Sequence, residues 1–277
     1  MPNEDDIIDV FLGSYASLAI PFIILAIIFL LSRRVRQLSR LPERAVAIVA
    51  FLLVWEAAVR TGLSYPAPIP APSRIFEGLV VIIRLEKFWE HALTSIGRVL
   101  LGYALALAVA VPLGFAVGWF ETVERFLDPL LQTIRQIPQF ALYPVFILFL
   151  GVGELPKTLL IMLAAVWWIL LNTITAVKNI DPALIKMARS MGASQWDLVW
   201  KITVPASIRT IVTGMRYAST EVVLALMTVD MMGSFKGLGL LLGTPHYWEV
   251  LFFMTILGVI ANYLLVTLER RLNKGYG

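Results

Sequence analysis

A carboxylate stands in the middle of a strongly apolar stretch of this chain. Glu221 lies within residues 206–232, next to Thr220 and one turn after Tyr217. An ionisable side chain at membrane depth is costly unless it is paired or faces water, so it is a functional candidate by default. Glu221 could line a solute pathway, or it could form an ion pair between helices. The candidate partners for such a pair are Arg98, Arg135 and Arg216.

Catalytic chemistry finds little support in the sequence. There is no cysteine, which excludes disulfides, thiolate metal sites and cysteine nucleophiles, and the two histidines form no HExxH pair. No GxxxxGK[ST] loop is present, so this chain is not expected to hydrolyse ATP. An intramembrane enzyme using Glu221 or Asp230 would need a second catalytic group, and no nucleophile–base pair is visible. No basic face with interleaved aromatic residues indicates nucleic-acid binding.

The composition indicates a polytopic all-α membrane protein. Of the 277 residues 59% are hydrophobic and 15% are charged, whereas a soluble domain is typically about a quarter charged. Seven apolar stretches are long enough, or nearly so, to cross about 30 Å of hydrocarbon. They lie near residues 15–32, 45–61, 94–119, 129–151, 156–177, 206–232 and 248–268. The first is not expected to be a signal peptide, because its flank is acidic and no A-x-A site follows.

Lysine and arginine predict the orientation of these stretches. The densest basic cluster, SRRVRQLSRLPER, lies between the first two stretches and is therefore placed in the cytoplasm. By alternation, residues 178–204 and the basic C-terminal tail also lie inside, whereas the acidic N-terminus and residues 61–93 lie outside. Three basic segments thus agree on one topology.

The sequence predicts three parts. Residues 1–62 hold two spans and a basic loop, residues 63–93 form an outer segment, and residues 94–277 form the core. The outer segment begins with a proline-rich run that cannot be helical. From Ser73 to His91 its pattern turns amphipathic and predicts a helix lying on the outer surface.

A polar, charged segment over residues 178–205 interrupts the membrane-like pattern. Asp181 followed by Pro182 is typical of a helix start, and Gly192 is typical of a helix end. The sequence Ser-Gln-Trp-Asp that follows has capping-box spacing and predicts a second short helix carrying Trp196. Pro205 is expected to stop that helix. From spacing alone, the segment could be an amphipathic loop on lipid headgroups or an element that docks into a partner's groove.

This segment resembles the EAA loop of ABC-importer permease subunits. That pattern is E-A-A, three residues, G, nine residues and I-x-L-P, and here it corresponds without gaps to Lys186-Met187-Ala188, Gly192 and Ile202 to Pro205. The stretches TSIGRVLLGYALALAVAVPLG, LDPLLQTIRQIPQFALYPVFILFLGVGELPKTLL and GLGLLL resemble the nitrate/sulfonate/taurine-type branch of the same family. The resemblance runs from about residue 66 to the end. The apolar stretch 15–32 is an addition to the usual six spans.

The resemblance implies a type I ABC-importer permease fold with about seven transmembrane helices. It further implies a pair of permease subunits, a separate ATPase dimer that binds ATP and Mg²⁺, and a solute-binding protein outside a bacterial cytoplasmic membrane. The short helix of the EAA loop would couple the permease to the ATPase. The residues implied for coupling are Asp181, Lys186, Met187, Ala188, Gly192, Ala193, Trp196, Ile202 and Pro205. This chain itself is expected to bind no cofactor or metal.

The sequence departs from the family pattern at one position. The usual Glu is Lys186 here, so a carboxylate is replaced by the opposite charge. Either the ATPase carries a compensating acid, or a second, more typical permease completes the pair. A secondary transporter working alone remains the alternative, although no internal repeat of the kind common in that class is found.

Proline pairs and polar side chains mark the expected solute pathway. Pro138 and Pro144 should distort their helix and leave carbonyl groups free at mid-membrane. The resemblance implies that this helix lines the pathway near the gate. The pathway candidates are Arg135, Gln139, Phe140, Tyr143, Asn172, Thr220 and Glu221. The family handles small anions and some aromatic compounds, and Glu221 weakly disfavours a simple anion at its position.

Overall fold

The computed structural model describes residues 43–62, 69–232 and 236–274, and within these residues every regular element is helical. Contacts divide the chain into two compact units, residues 1–81 and 82–277. The three-part division expected from the sequence stays a prediction. The apolar stretch 15–32 and the basic loop after it lie outside the described residues.

In the first unit, helix α1 spans Glu43–Arg60 and helix α2 begins at Pro72; α2 ends at Ile83, two residues after the unit boundary. A carboxylate connects them, because Glu56 accepts hydrogen bonds from the backbone N–H of Ser73 at 3.0 Å and from its hydroxyl at 2.7 Å. The predicted helix from Ser73 to His91 is wrong in its extent. The first helix ends at Ile83, residues 84–85 are not helical, and residues 86–91 form the first turns of the next helix.

The other described α-helices lie in the second unit. They are α3 (Glu86–Trp119), α4 (Glu121–Ile134), α5 (Tyr143–Leu150), α6 (Glu154–Lys178), α7 (Pro182–Ser190), α8 (Gln195–Asp197), α9 (Val204–Met231), α10 (Leu238–Leu241) and α11 (Tyr247–Lys274). Among the described residues, α3, α6 and residues 247–271 of α11 are long and apolar enough to cross a membrane. A fourth span results if α4 and the helical residues 139–150 count as one broken span. Helix α9 carries four charged side chains: Arg209, Arg216, Glu221 and Asp230.

Helix α6 is the centre of this unit and packs against both α3 and α9. The α3 face toward α6 is a stripe of small residues at every fourth position: Gly102, Ala106, Ala110, Gly114 and Gly118. A side chain on Gly102 would meet Ile161, and one on Gly114 would meet Thr173, at less than 3.0 Å. Small residues at this spacing let two backbones approach closely, which stabilises helix pairs where lipid gives no hydrophobic driving force.

The span expected over residues 129–151 is broken. Helix α4 ends at Ile134, a turn follows, and a short 3₁₀ helix over Gln139–Leu142 leads into α5, with an 81° bend between the two halves. Pro138 has no N–H to donate and its ring blocks helical continuation, so the predicted distortion is a complete break. The sequence ETVERF, which lies between the predicted spans 94–119 and 129–151, forms the first turn and a half of α4.

Candidate functional site

Helix α7 begins with a side-chain cap. The carboxylate of Asp181 accepts from the backbone N–H of Ala183 at 2.8 Å, and Pro182 occupies the first helical position. An N-terminal cap satisfies a backbone donor that has no partner inside the helix, and typically contributes about 1 kcal/mol. The predicted helix start is confirmed.

Helix α7 ends in a glycine turn. Gly192 has φ of +84°, the left-handed region that favours glycine, and its N–H donates to the carbonyl of Arg189 at 3.0 Å. Ala193 donates to the carbonyl of Ala188 at 3.0 Å, which completes the paired pattern of a Schellman motif. The turn reverses the chain within two residues and leads directly into α8.

A capping box opens α8. The Ser194 hydroxyl accepts from the backbone N–H of Asp197 at 3.2 Å, and the Asp197 carboxylate accepts from the backbone N–H of Ser194 at 3.2 Å. The ammonium group of Lys201 lies 2.6 Å from the same carboxylate. Its hydrogen bond, followed by those from Ser194, lowers the pKa of Asp197 to about 2. The predicted capping box is confirmed, and the carboxylate stays ionised at any physiological pH.

The prediction that Pro205 ends the second short helix is wrong. Residues Leu198–Thr203 form a π-helical segment that continues without interruption into α9, where Pro205 occupies the first turn. The wider π spacing accommodates a proline that cannot donate a backbone hydrogen bond. The hydroxyl of Thr203, fully buried, donates to the carbonyl of Leu198 at 3.0 Å and stabilises this junction. Ile202, another predicted coupling residue, is half-buried in the same segment.

The two capped helices expose apolar side chains. The exposed apolar residues over 181–200 are Leu184, Met187, Met191, Trp196 and Trp200, of which Met191 is 82% exposed. The charged side chains of Lys186 and Arg189 are exposed on the same short helix, and Ala188 and Ala193 are half-buried beneath it. Behind the element lies a cavity of about 820 Å³, lined by the end of α3 at Trp119 and by the aromatic rings of α8 and its extension. The segment is thus a pair of capped short helices with a stripe of exposed apolar side chains.

Three of the pathway candidates lie on α6 and α9: Asn172, Thr220 and Glu221. Tyr217 and Thr220 are exposed on α9, and Glu221 is half-buried beside them. The ring of Tyr217 lies 5.7 Å from the ring of Trp168 on α6, measured between centroids. Asn172, one turn along α6, donates from its side chain to the carbonyl of Trp168 at 2.8 Å.

The candidates around the broken span do not all reach a surface. Arg135 is exposed in the turn after α4, and Gln139 and Phe140 are half-buried in the 3₁₀ helix. The side-chain oxygen of Gln139 is shielded from solvent without a hydrogen-bond partner among the described residues. Tyr143 is only 1% exposed, and its hydroxyl donates to the carbonyl of Val229 at 3.4 Å. Tyr143 is therefore a core residue in this chain.

Two of the arginines proposed as partners of Glu221 bind other acids. Arg98 forms ion pairs with Asp230 and Glu154, and Arg216 lies 3.3 Å from the carboxylate of Glu269 on α11. Neither arginine is paired with Glu221, and the pathway role of Glu221 stays a prediction.

The sequence reasoning missed a cluster of charged side chains in which Arg98 and Asp230 are buried and Glu154 is exposed. We call Ser95, Arg98, Glu154, Lys157 and Asp230 the Arg98 cluster. The carboxylate of Asp230 also accepts from the hydroxyl of Ser95 at 2.6 Å and from the backbone N–H of Gly239 at 3.3 Å. The Arg98 side chain is 3% exposed and that of Asp230 is fully buried. A buried charge is tolerated only when it is paired and hydrogen-bonded, as it is here.

Hydrogen bonds from the Arg98 cluster hold residues 236–238 in place. The guanidinium donates to the carbonyl of Lys236 at 2.6 Å, and the hydroxyl of Ser95 accepts from the N–H of Leu238 at 2.9 Å. His91, for which the sequence predicted no role, accepts from the N–H of Gly237 at 3.1 Å. A signal was present in the sequence, because an arginine and an aspartate of opposite charge lie at the same end of two antiparallel predicted spans.

Comparison with known proteins agrees with this architecture. Residues 88–274 match the family model described as the inner membrane component of binding-protein-dependent transport systems. The taurine transport permease TauC of Escherichia coli is 29% identical over 262 residues, covering 89% of this chain and 95% of that protein. The carnitine transport permease OpuCB of Listeria monocytogenes is 31% identical, covering 68% of this chain and 87% of that protein.

Solved structures show the same fold. An inward-facing structure of the MetNI methionine ABC transporter matches with a TM-score of 0.57 and 18% identity, covering 70% of this chain and 96% of the matched chain. The expected all-α permease fold is confirmed. The chain belongs to the family of inner membrane components of binding-protein-dependent transport systems.

Proposed function

We propose that residues 181–205 of this ABC-importer permease subunit receive the motion of a separate ATPase and transmit it to α9. The single observation that carries the proposal is the unbroken helical connection from α8 through Leu198–Thr203 into α9. Because no flexible linker intervenes, a displacement of the capped element must move the membrane helix. The ATP and Mg²⁺ that drive this motion would lie on the ATPase, which this chain contacts through its docking residues alone.

The docking surface is the exposed apolar stripe of the element. Leu184, Met187 and Met191 project from one short helix whose two ends are fixed by caps. Burying one such side chain in a partner's groove contributes about 1.5–3 kcal/mol. Lys186 lies beside the stripe and is exposed, so it would contact an acidic group of the ATPase or leave that contact to a second, different permease.

The complete transporter would contain two permease subunits, an ATPase dimer and an extracytoplasmic solute-binding protein. The TauC and OpuCB relatives are named for taurine and carnitine transport, so a small organic solute is the expected substrate class. The outer helix α2 and the loop over residues 233–243 would form the platform for the binding protein. A bacterial cytoplasmic membrane with the N-terminus outside and the C-terminus inside fits the distribution of basic residues.

The coupling proposal is tested by recovery of the ATPase with a tagged form of this subunit. Gly192→Val places a β-branched residue at φ of +84°, which should distort the turn and lose the ATPase from the purified complex. Gly62→Val is the matched control, because Gly62 has φ of +78° and equally open surroundings but lies outside the element. Recovery of the ATPase with Gly192→Val, or its loss with both variants, would contradict the proposal. The wild-type eluate also shows whether a second permease is present.

A further inference from the structure

We propose that Glu221, together with the ring pair Trp168–Tyr217, forms a subsite for the cationic group of the transported solute. The inference deepens the proposed function, because it requires that this face of α9 line the pathway. The chemical class that it selects is an ammonium group, primary or quaternary, on a small organic molecule.

The first step is the position of these groups on α9. Tyr217, Thr220, Glu221 and Leu224 recur at spacings of three and four residues, which places them on one face of the helix. Tyr217 and Leu224 are each 47% exposed, and Thr220 is exposed as well. Glu221 is 17 residues from the start of the helix and 10 from its end, so it lies near mid-membrane depth. Polar side chains at that depth face a water-filled cavity or a partner subunit rather than lipid.

The second step is the aromatic surface next to the carboxylate. The Trp168 and Tyr217 rings lie 5.7 Å apart at an angle of 44°, and both remain exposed, Trp168 by 40%. Glu221 follows Tyr217 by four residues, so their side chains are neighbours one turn apart. Aromatic faces attract cations through the ring quadrupole, and tryptophan is the strongest of these rings. An aromatic pair beside a carboxylate is therefore suited to an ammonium group.

The third step is the charge of the neighbourhood. The guanidinium of Arg216 lies over the Tyr217 ring, 5.4 Å from its centre, so this ring already contacts a cation within the chain. The guanidinium of Arg216 is paired with Glu269, whose carboxylate also accepts from the hydroxyl of Thr213 at 2.9 Å. The charges of Arg216 and Glu269 offset each other, so the carboxylate of Glu221 sets the sign of the local charge. An anion held at Glu221 would be repelled.

Three soluble probes of similar shape separate the effect of charge from that of size. Choline is the cation, 3,3-dimethylbutan-1-ol is its neutral analogue, and 2-hydroxyethanesulfonate is the anion. We would measure their dissociation constants by ligand-detected NMR on the purified complex in lipid nanodiscs. Choline should bind about tenfold more tightly than the neutral analogue, a ratio that matches the strength of a partly desolvated cation–π contact.

Variants assign that preference to the subsite. Glu221→Gln should abolish the preference for choline over the neutral alcohol, and Trp168→Leu should weaken choline binding several-fold. The control Glu86→Gln makes the same chemical change at an exposed acid at the start of α3 and should leave all three constants unchanged. If a variant fails to assemble, the comparison of the three probes on the wild-type complex still shows whether the site prefers a cation or an anion.

Three outcomes would overturn the inference. They are equal binding of the sulfonate and choline, no measurable binding of choline, or an unchanged preference in Glu221→Gln. Any of these with the ATPase present in the wild-type complex would remove only this inference. Absence of the ATPase from the wild-type complex would instead remove the proposed coupling function.

Discussion

Asp230 and Glu221 lie on the same helix, two and a half turns apart, in opposite surroundings. Asp230 is fully buried and bound to Arg98, Ser95 and a backbone N–H, whereas Glu221 is half-buried at an exposed face. The two acids therefore have different roles. The first stabilises the fold through its ion pair and hydrogen bonds, and the second is the acid that we propose for contact with a solute.

Replacing the buried acid should be far more damaging than replacing the half-buried one. Asp230→Asn leaves Arg98 with a buried charge that Glu154 alone must balance, and we expect a loss of about 3–5 kcal/mol of unfolding free energy. The matched change Glu221→Gln on the same helix should cost less than about 1 kcal/mol. Denaturant unfolding in mixed micelles measures both. Equal losses would contradict the distinction drawn between the two acids.

The capping carboxylate of Asp197 leads us to predict how stability depends on pH. The pKa of Asp197 is lowered to about 2 from its ordinary value of 3.8, so its stabilising contribution is complete above about pH 4. That contribution is lost as the pH falls through about 2, where the carboxylate becomes protonated.

The prediction is checked by following the Asp197 carboxyl carbon by NMR in detergent micelles. Its titration midpoint should lie near 2 and rise in Lys201→Ala, because the hydrogen bond from Lys201 is the largest cause of the shift. The variant Lys186→Ala changes a lysine that makes no described contact with Asp197, and it should leave the midpoint in place. A midpoint near 3.8 in the wild type would contradict the capping geometry.

At the residue scale, the sequence predicted what depends on local rules. Asp181, Gly192 and the Ser194–Asp197 box could be assigned because caps and turns depend on neighbours within a few residues. The Arg98 cluster could not be assembled in the same way, because its members lie 56 and 132 residues from Arg98 along the chain. Opposite charges at matching depths were the available signal.

At the scale of elements, the close contact between α3 and α6 predicts that replacing one of its glycines destabilises the protein. An added Cβ on Gly114 would lie 2.6 Å from the Cβ of Thr173 and 3.1 Å from the carbonyl of Leu170. Gly114→Ala should therefore destabilise the protein by about 1–3 kcal/mol through overpacking.

Gly97→Ala is the matched control on the same helix, because nothing lies within 4 Å of an added Cβ there. Alanine favours a helix by about 1 kcal/mol over glycine, so this variant should be neutral or slightly more stable. Thermal unfolding of both variants in one detergent compares them directly. A destabilised Gly97→Ala, or an undisturbed Gly114→Ala, would argue against close packing as the reason for the glycine.

The two helix ends that were wrongly predicted from the sequence both involve a proline. Pro138 was expected to distort a helix and instead ends one, whereas Pro205 was expected to end a helix and is accommodated inside one. Proline removes one donor in both cases, and the outcome depends on whether the preceding turn can widen. The π-helical turn over Leu198–Thr203 provides that widening, and propensity alone does not reveal it.

At the scale of the whole molecule, the absence of cysteine permits a direct test of orientation. A single cysteine at Glu86 should react with a membrane-impermeant maleimide in intact cells, because this residue is predicted to lie outside. A single cysteine at Glu121, which follows the stretch 94–119 on the predicted inner side, should react only after the membrane is opened. Both side chains are exposed in the chain, so accessibility depends on the side of the membrane. The reverse pattern would invert the proposed topology.

Hydropathy and basic residues were enough to predict a multi-pass helical protein, since lipid admits few other structures. The resemblance of the coupling segment to a known loop then identified the family. The shape of the stretch 129–151 was less well predicted, because hydropathy does not report a bend of 81° within an apolar stretch.

The members of the Arg98 cluster are synthesised at different times. Arg98 enters the membrane with α3, but Asp230 is made 132 residues later. At about 5–20 residues per second, the ribosome needs roughly 7–26 s to supply that partner. Before that, Arg98 has one carboxylate partner, Glu154, which is made 56 residues after it. A chain truncated before α9 would therefore keep an arginine that lacks its fully buried partner.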